Sequence, residues 1–429
     1  MKKNKYILFV TSASQRDVDA VKRYNEKFNT NFRILVLRDK NKKNWEARAK
    51  KRNVAQVLTC DFNKPQDIEK ALAPWKQTIH TVTFRGETNA SFFAKIVPHL
   101  PYIDLPSAES IEWATDKIAM RHLFEAHDKA ITPAFTIVKD NEEKTIERII
   151  KKVGFPLIIK PSGLALSLLV TMCYHEDELR SSLKTILRKI KKIYKENNRV
   201  VTPKLLVEQF MEGEMYSVDA YVDKQGNTSF CPFVYVKTGK SVGFDDFFGY
   251  LQMTPSQLST TNIQKAEIVA KTAIQALNLH STTVHIELMR TEDGWKIIEL
   301  GPRIGGFRHH MYMLSYGIDH DTNDLIVRLN KKPIIPKKRK TYVAVMKLFA
   351  KEEGILQHIE GIRKIKKLSS FTSIATHIQP GEKCMHAKHG GKSVCDITLS
   401  HVQRPELLAD IRRIEQIVKI ELQPKQKKR

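Results

Sequence analysis

Two glutamates provide the clearest chemistry in this sequence of 429 residues. Runs of alternating apolar residues flank Asp293-Gly294, a dipeptide typical of the turn in a β-hairpin. A three-residue loop at this turn places Glu287 directly opposite Glu299. Like charges in that position repel each other unless both are well solvated or a divalent cation lies between them. Carboxylate oxygens beside a phosphate suit Mg²⁺, so the pair predicts either a magnesium site or a solvated acidic hairpin.

The alternation of side chains along a strand assigns the two faces of this hairpin. With the three-residue loop, Thr291 pairs with Trp295. His285 then shares the face of the two glutamates and is a candidate residue of the same site. The opposite face is predicted to be core and carries Ile286, Leu288, Ile298 and Leu300.

A glycine-rich loop directly after the second glutamate favours binding of an anion. The segment 301–306 contains Arg303, whose planar guanidinium offers a fork of donors, while the glycines let backbone amides approach a ligand. The candidate substrate contacts of this region are Gly305, Gly306 and Arg308. His309 and His310 come next, and either is a candidate base, although a structural role is commoner for a histidine.

Strands and helices alternate over about the first 100 residues, which predicts a parallel sheet covered by helices. The predicted strands are residues 6–11, 32–36, 57–60 and 80–84, and the predicted helices are 16–26, 45–52 and 67–75. The turn after the first strand lacks the GxGxxG fingerprint, so the layout is Rossmann-like without that dinucleotide motif. Arg85 and Glu87 follow the fourth strand, where such sheets bind ligands, and both are candidate substrate contacts.

The remaining sequence predicts a mixed region, a linker and a further α+β segment. A helix is expected from Lys117, with Thr115 as its N-cap, and a long amphipathic helix at 178–197. Residues 333–340 are basic and contain prolines, which favours a linker. The expected fold class is therefore α/β and α+β, with a Rossmann-like N-terminal domain and a small α+β cap at the C-terminal end.

Several segments, which follow one another along the chain in the order expected for the family, resemble the ATP-grasp superfamily. Its members hold ATP between two α+β subdomains. Residues 299–303, Glu-Leu-Gly-Pro-Arg, are similar to the family motif Glu-x-Asn-x-Arg, with glycine in the asparagine place. Residues 115–117 resemble the start of the grasp region, and 154–161 resemble the strand whose lysine, here Lys160, reaches the phosphates. Residues 206–214 resemble the hinge that holds adenine and ribose.

The resemblance implies ATP and Mg²⁺ as cofactors, with Mn²⁺ as a replacement for Mg²⁺. The implied metal ligands are Glu287 and Glu299, and the implied catalytic residues are Arg303 and Lys160. The implied nucleotide-binding residues are Lys117, Lys160, Ser162, Glu208, Gln209, Phe210, Met211 and Glu214. Within that set, backbone from Glu208 to Met211 is expected to pair with adenine, and Glu214 is expected to accept from ribose hydroxyls.

The resemblance also implies domain bounds, and one segment of the sequence differs from the family pattern. The implied units are a Rossmann-like domain at 1–105, an ATP-grasp domain at 106–332 with a mobile lid at about 155–215, and a cap at 341–429. The phosphate-covering loop is usually rich in glycine and serine, whereas residues 161–169 contain a single glycine. We therefore expect a stiffer loop, in which backbone contact with phosphate comes mainly from Ser162 and Gly163.

The activity implied by the resemblance is carboxylate–amine ligation on amino acids or related small carboxylates. ATP phosphorylates a carboxylate, and an amine then displaces phosphate to give an amide or peptide bond. Candidate substrate contacts are Arg85, Glu87, His285, Gly305, Gly306 and Arg308. Two alternatives stay open: an enzyme like biotin carboxylase or glycinamide ribonucleotide synthetase, and a protein that binds ATP or a polyanion with little turnover.

Composition limits the partners. Lys and Arg number 72 against 47 Asp and Glu, a net charge of +25, but the basic residues are spread along the chain, so specific nucleic-acid binding is not expected. Apolar runs are too short for a membrane span. The N-terminal apolar stretch is too short for a signal peptide and the five cysteines are scattered, which predicts a cytoplasmic protein. A homodimer is compatible with the resemblance.

Overall fold

The computed structural model describes residues 5–41, 54–162, 168–196 and 203–423. The helix predicted at 45–52 lies outside the described residues, as does most of the glycine-poor loop. None of the helices in the described ranges combines the length and the apolar character needed to cross a bilayer.

The N-terminal layer is a parallel sheet of four strands in the order β3-β2-β1-β4. Its elements are β1 Lys5–Val10, α1 Gln15–Phe28, β2 Phe32–Asp39, β3 Gln56–Cys60, α2 Pro65–Leu72, β4 Ile79–Phe84 and α3 Ala90–Ile96. Helix α1 begins with a capping box, in which the side chain of Ser14 accepts from the amide of Asp17 and the carboxylate of Asp17 accepts in return. The parallel arrangement predicted from the strand–helix rhythm is confirmed.

Two short helices, α4 Ala108–Trp113 and α5 Lys117–His127, connect this layer to the rest of the chain. The N-cap of α5 is Asp116, whose carboxylate accepts from the amides of Ile118 and Ala119. The predicted N-cap, Thr115, is wrong, because its hydroxyl instead donates to carbonyls of α4. Capping by Asp116 makes Lys117 the first residue of the helix.

A second, antiparallel sheet has the order β5-β8-β6-β7. Its elements are β5 Phe135–Val138, α6 Glu143–Lys152, β6 Leu157–Pro161, β7 Thr171–Cys173, α7 Glu176–Glu196 and β8 Leu205–Gln209. The apolar stripes of α6 and α7 pack on one face of the sheet in a continuous core. Strand alternation therefore sends Ile158, Lys160 and Glu208 to the opposite face. We call this unit the lid.

The largest sheet has nine strands, in the order β14-β13-β9-β11-β12-β15-β19-β17 with β10 beside β9. Its first elements are β9 Glu214–Val222, β10 Thr228–Phe230, β11 Val234–Thr238, β12 Gly249–Thr254, α8 Thr260–Ala276, β13 Thr282–Thr291 and β14 Gly294–Gly301. Helices α9 Arg308–Tyr316 and α10 His320–Arg328 follow. Valines of β15 pack with α9 in one apolar cluster, and Leu325 of α10 packs against the N-terminal sheet.

The C-terminal segment extends that same sheet. Its elements are β15 Tyr342–Leu348, β16 Gly354–Glu360, α11 Ile362–Ile365, β17 Phe371–Thr376, β18 Lys383–Cys384, β19 Cys395–His401, α12 Arg404–Ile417 and β20 Lys419–Leu422. β15 pairs with β12 on one side and β19 on the other, while β16, β18 and β20 form a small separate sheet. The sheet thus crosses the boundary predicted between residues 332 and 341.

Candidate active site

Glu287 and Glu299 face each other as predicted, but through a different register. The hairpin loop has two residues, so Thr291 pairs with Gly294 and Arg290 with Trp295. That register alone would place Glu287 opposite Ile298. An irregularity between Glu287 and Leu288 leaves Ile298 as an extra residue and restores the pairing of the two glutamates.

The predicted assignment of β14 residues to the two faces of the hairpin is partly wrong, because it did not include this loop length or this bulge. Ile298 was expected in the core, yet it is half-buried and lines a cavity beside the glutamates. Trp295 and Ile297 are the buried core residues instead. The two-residue loop shifts the alternation by one position, and the bulge returns it to the expected phase only at Glu299 and Leu300.

Lys117 provides one cation at the carboxylate pair. Its Nζ lies 2.8 Å from Oε1 of Glu299. Burial lowers the pKa of Lys117, but the charges of Glu299 and Glu87 outweigh burial and hold that pKa above its ordinary value. Lys117 is therefore an ammonium group across the whole physiological pH range.

Lys160 provides a second cation, on the lid. Its Nζ lies 2.6 Å from Glu208 Oε2, and Arg121 donates to both oxygens of Glu208 at 2.6 and 3.2 Å. Burial raises the pKa of Glu208, but Arg121 and Lys160 prevail and lower it to about 2. Burial lowers the pKa of Lys160 to about 8, against the opposing charge of Glu208. Arg121, which the sequence did not single out, also donates to the carbonyls of Ile297 and Ile298 and so joins lid and hairpin.

The hinge differs in detail from the expected adenine-binding backbone. Glu208 lies in a central strand and is paired on both sides, with Phe135 and Ile158, so its contribution is its carboxylate and the expectation for its backbone is wrong. The amides of Gln209 and Phe210 donate to the carbonyls of Ala134 and Pro156.

Two other hinge residues match the expectation better. Within the described ranges, the amide of Met211 has no protein acceptor. Glu214 lies at the rim of the cavity beside the glutamates, where Arg290 and the Tyr216 hydroxyl donate to its carboxylate at 3.3 and 3.1 Å.

Two cavities meet at the carboxylate pair. The first, which we call the lid cavity, measures about 530 Å³ and lies between the lid and the nine-stranded sheet. The second, which we call the cap cavity, measures about 440 Å³ and is bounded partly by the C-terminal segment. Residues lining both are Met215, Val236, Phe247, Glu287 and Glu299. A larger cavity of about 1100 Å³, beside α12 and β20, contains neither glutamate.

The lid cavity has an apolar end and a charged end. The apolar end is lined by Ile158, Phe210, Met211, Met289 and Ile298. Lys117, Lys160 and the two glutamates form the charged end. Ser162 is buried, its amide donates to the carbonyl of Lys204, and it is not a lining residue of this cavity.

The cap cavity is lined by three of the six predicted substrate contacts, Glu87, His285 and Arg308. Arg303 lies 2.9 Å from Glu87 in an ion pair, and both line the cavity with His285. Arg308 lines it too, and its guanidinium donates to Gln252 Oε1 at 2.7 Å and Ser217 Oγ at 2.6 Å. Gly305 and Gly306 are not lining residues.

Arg85 is not part of either cavity. Its guanidinium binds Asp17 of α1 at 2.7 Å and Asp324 of α10 at 2.8 Å, so it joins the N-terminal layer to α10. These ion pairs give Arg85 a structural role, and the lining of the two cavities does not support contact between Arg85 and substrate. His309 is likewise outside both cavities: burial and the adjacent Arg16 lower its pKa to about 3, and it interacts with Arg16 at 3.0 Å.

A buried hydrogen-bond network behind His285 was missed by the sequence analysis. It consists of Asp219, His285 and His320, and we call it the relay. Asp219 accepts from Nδ1 of His285, Nε2 of His320 and the amide of Gly305, each at 2.7 Å. Burial opposes ionisation of Asp219, but its two histidine partners lower its pKa, while Asp219 raises the pKa of His285. His285 Nε2 lies 3.5 Å from Glu287.

The relay also explains why residue 305 is a glycine. A Cβ there would lie 2.4 Å from His285 Nδ1 and 2.8 Å from Asp219. The relay therefore fixes the ring of His285, and through it the position of Glu287. No local pattern marks Asp219, which lies in an ordinary buried strand.

The donor set fits a magnesium nucleotide. Glu287 and Glu299 are register partners with about one third of each side chain exposed, so their oxygens can reach a ligand in either cavity. Oxygen donors with phosphate nearby are the set Mg²⁺ prefers. Lys117 and Lys160 lie at the same end of the lid cavity, where they would neutralise phosphate charge.

Comparison with known proteins identifies this architecture. Residues 153–310 match the family model described as ATP-grasp domain. Residues 153–310 are therefore similar to an ATP-grasp domain, in agreement with the expected superfamily, and the mixed α/β fold class is confirmed. The crystal structure of L-amino acid ligase from Bacillus licheniformis superposes with a TM-score of 0.74 at 19% identity, covering 99% of this chain and 100% of that one. The whole chain thus has the fold of that ligase.

Two curated relatives extend the comparison. An uncharacterized protein, y4rH, of Sinorhizobium fredii is 24% identical over 305 residues, which are 69% of this chain and 59% of the relative. Alanine–anticapsin ligase of Bacillus amyloliquefaciens is 24% identical over 213 residues, which are 46% of this chain and 43% of the relative. The chain spans less than two thirds of the length of either.

Proposed function

We propose that this protein is an ATP-dependent carboxylate–amine ligase that forms an amide or peptide bond on amino acids or related small carboxylates. The observation that carries this proposal is the meeting of two cavities at Glu287 and Glu299. One cavity has an apolar pocket leading to two lysines, as a purine nucleotide requires. The other has arginines and a glutamate suited to a small zwitterion.

Nucleotide binding is assigned to the lid cavity. Its apolar end would take the base, with the amide of Met211 as a donor and Glu214 accepting from ribose. Lys117 and Lys160 would bind phosphate oxygens. Glu287 and Glu299 would hold Mg²⁺, or Mn²⁺, which when bound neutralises phosphate charge and aligns the phosphates.

The first chemical step joins the two cavities. A carboxylate oxygen of the substrate attacks the γ-phosphorus, the bond from that phosphorus to the β–γ bridging oxygen breaks, and ADP leaves. Charge accumulates on the transferring group, and Arg303 and Lys160 stand on either side of the carboxylate pair to stabilise it. Because the protein supplies cations and alignment, no side-chain nucleophile is needed.

The second step consumes the acyl phosphate. The amine nitrogen attacks the acyl carbon, the carbon–oxygen bond to phosphate breaks, and inorganic phosphate leaves as the nitrogen loses its proton. Closure of the cavities by lid and cap would keep water from competing with the amine. Glu87, held by Arg303 at 2.9 Å, is well placed to bind a substrate ammonium.

Mass spectrometry of products tests the proposal. Purified protein is given Mg-ATP with pooled amino acids, and ADP formation is measured in parallel. We expect new masses equal to two substrates minus water, with one ADP formed per product, and neither with Glu299→Gln. ADP formation that depends on bicarbonate or on phosphoribosylamine would assign the alternative carboxylase or ribonucleotide synthetase activity. If no substrate pool supports ADP formation, the protein would instead be one that binds nucleotide without turnover.

Three finer statements stay predictions. Domain bounds near residues 105 and 340, a homodimer and a cytoplasmic location are compatible with this function. Light scattering of the purified chain would measure its oligomeric state, and limited proteolysis would locate its domain boundaries.

A further inference from the structure

The C-terminal segment contributes several polar side chains to the cap cavity region, and Lys392 is one of them. We name Lys347, His377, Ser393 and Asp396 the cap cluster. Lys347 on β15 is the register partner of Asp396 on β19, while His377 directly follows β17 and Ser393 precedes β19. Lys347, His377 and Ser393 line the cavity. None of the four belongs to the carboxylate pair or to the lid.

Asp396 is already saturated by the cluster itself. Ser393 Oγ donates to Oδ1 at 2.6 Å, and the ring nitrogen Nε2 of His377 lies 2.8 Å from Oδ2. Both carboxylate oxygens therefore have partners, and these contacts hold His377 and Ser393 at the cavity wall. Asp396 is thus a positioning residue for the cluster rather than an ion-pair partner of Lys347.

Lys347 is left without an anion. Among the described residues no carboxylate forms an ion pair with its ammonium group, which instead lies 5.1 Å from the ring centre of Phe307. Burial lowers the pKa of Lys347, and the more distant charges of Asp396 and Glu287 offset this only in part. Lys347 is half-buried, and an ammonium group that is partly withdrawn from water without a close anionic partner would be stabilised by an anion entering the cavity beside it.

The position of Lys347 defines which anion this is. The carboxylate that reacts must lie at the other end of the cavity, beside Arg303 and the glutamates. Lys347 and Glu287 line the same cavity of about 440 Å³, so one small molecule can contact both parts of it. Ser393 and His377 already interact with Asp396, so the donor available to an oxyanion here is the ammonium group of Lys347.

We propose that the cap cluster binds a second anionic group of the substrate, a carboxylate or a phosphate, remote from the carboxylate that is ligated. The inference rests on the proposed ligase function and narrows its substrates to acids with an additional negative charge. Lys347 is then a specificity-determining residue, and neutral amino acids are poor substrates.

Pairs of substrates that differ in one anionic group test this inference. ADP formation is measured with glutamate against glutamine, aspartate against asparagine, and phosphoserine against serine. The first two pairs test a carboxylate and the third a phosphate. We expect kcat/KM to favour the anionic member of at least one pair by about tenfold to a hundredfold, the range for a hydrogen bond to a charged group. Lys347→Met should remove the preference while the KM for ATP changes less than twofold.

Control variants separate specificity from folding. Lys347→Arg keeps the charge and should keep the preference. Lys383→Met removes an exposed lysine of the same segment, outside the cavity, and should behave as the parent. Equal turnover of anionic and neutral members by the parent, or an undiminished preference in Lys347→Met, would overturn the inference.

A binding measurement keeps the two proposals distinguishable. Calorimetry with Mg²⁺ and a non-hydrolysable ATP analogue compares binding of the same pairs without turnover. If no pair supports ADP formation, the ligase proposal fails. The cap cluster assignment then survives only if the anionic members bind more tightly and Lys347→Met abolishes the difference.

Discussion

At the scale of single residues, the candidate site depends on buried charges that partner each other across elements. Glu208 on the lid holds Lys160 of the neighbouring strand and Arg121 of α5, and the three are almost completely buried. Breaking a buried ion pair from one side costs more than the pair gains, because the remaining charge has no counter-ion. This group therefore both positions Lys160 and stabilises the lid against the hairpin.

Glu208→Gln should lower the free energy of unfolding by about 3–5 kcal/mol, because it leaves Arg121 and Lys160 without an anion. Urea denaturation measures the change. Glu212→Gln, an exposed glutamate of the same hinge, should cost less than about 0.5 kcal/mol. Equal stability of the two variants would contradict the buried network.

The low pKa of Glu208 predicts that the stability of the protein depends on pH in the acid range. The folded pKa of this carboxylate, about 2, lies below its ordinary value of 4.5, so its contribution is complete above about pH 4.5 and is lost as the pH falls through about 2. Glu208→Gln should lack this part of the acid unfolding profile. A profile identical to that of the parent would show that Glu208 is not the group that titrates.

The pKa of Lys160 predicts that kcat/KM for ATP decreases at alkaline pH. Its pKa of about 8 means that the ammonium needed to bind phosphate loses its proton as the pH rises through about 8. The value of kcat/KM for ATP should fall in that range. Lys160→Arg should abolish this limb, since a guanidinium stays charged. A limb that persists unchanged in the variant would assign it to another group.

Some residue roles could not be read from the sequence. Arg85 follows a strand end, where ligands are common, but its partners Asp17 and Asp324 are 68 and 239 positions away. Asp219 contacts His285 and His320, which are 66 and 101 positions away, and Lys347 lies beside Asp396 on a strand that is also distant in sequence. What the sequence did show were the residues with local context: the glutamates at a hairpin turn and the arginine in a glycine-rich loop.

At the scale of elements, the hairpin shows how a correct pairing can follow from a wrong register. The Asp293-Gly294 signal located the turn, but neither the loop length nor the bulge at Ile298 has a local sequence signal. The two errors cancel at Glu287 and Glu299. The cap of α5 was displaced by one residue, because Thr115 and Asp116 are both good N-caps and only backbone geometry selects between them.

Loops also connect the lid to the body. The amide of Leu169 on the lid donates to the carbonyl of Lys388, whose own amide donates to Asp246. Lys240 lies 3.0 Å from the hydroxyl of Tyr174 on the lid. The C-terminal segment thus contacts Leu169, the last residue of the glycine-poor loop.

Asp246→Ala should loosen this connection. Its carboxylate accepts from the amides of Phe247 and Lys388, both at 2.8 Å, so we expect the KM for ATP to rise by roughly tenfold and trypsin cleavage near Lys388 to accelerate. Asp245→Ala is the matched control, because Asp245 is 87% exposed and its ion pair with Lys388 should contribute little. Equal effects of the two variants would argue against a connecting role for Asp246.

At the scale of the whole molecule, one sheet runs through the ATP-grasp region and the C-terminal segment. The sequence pattern predicted strands at 342–349 and 371–378, which correspond to β15 and β17, but it did not predict β19. It also could not show that β15 pairs with β12, since the two strands are separated by about 90 residues of sequence. The Rossmann-like layer could be predicted, because regularly alternating strands and helices favour parallel pairing of those strands. The resemblance supplied the arrangement of the rest.

A chain ending at residue 340 should therefore not fold as a stable unit. It would expose the edge of β12 and the apolar cluster of Phe248, Tyr250, Leu251 and Met253, which packs against β15 and β19. We expect an insoluble product or one that binds hydrophobic dyes and unfolds without cooperativity. A monodisperse, cooperatively unfolding fragment would show that residues 341–429 form an independent domain.

The central claim is that Glu287 and Glu299 together hold a divalent cation with a nucleotide. Electron paramagnetic resonance of Mn²⁺, titrated in the presence of a non-hydrolysable ATP analogue, measures this directly because only the free ion gives the full signal. The account predicts that the parent protein removes Mn²⁺ from solution with one site per chain, and that the double variant Glu287→Gln, Glu299→Gln loses this site while remaining folded. Binding of Mn²⁺ and nucleotide by the double variant as tightly as by the parent would contradict it.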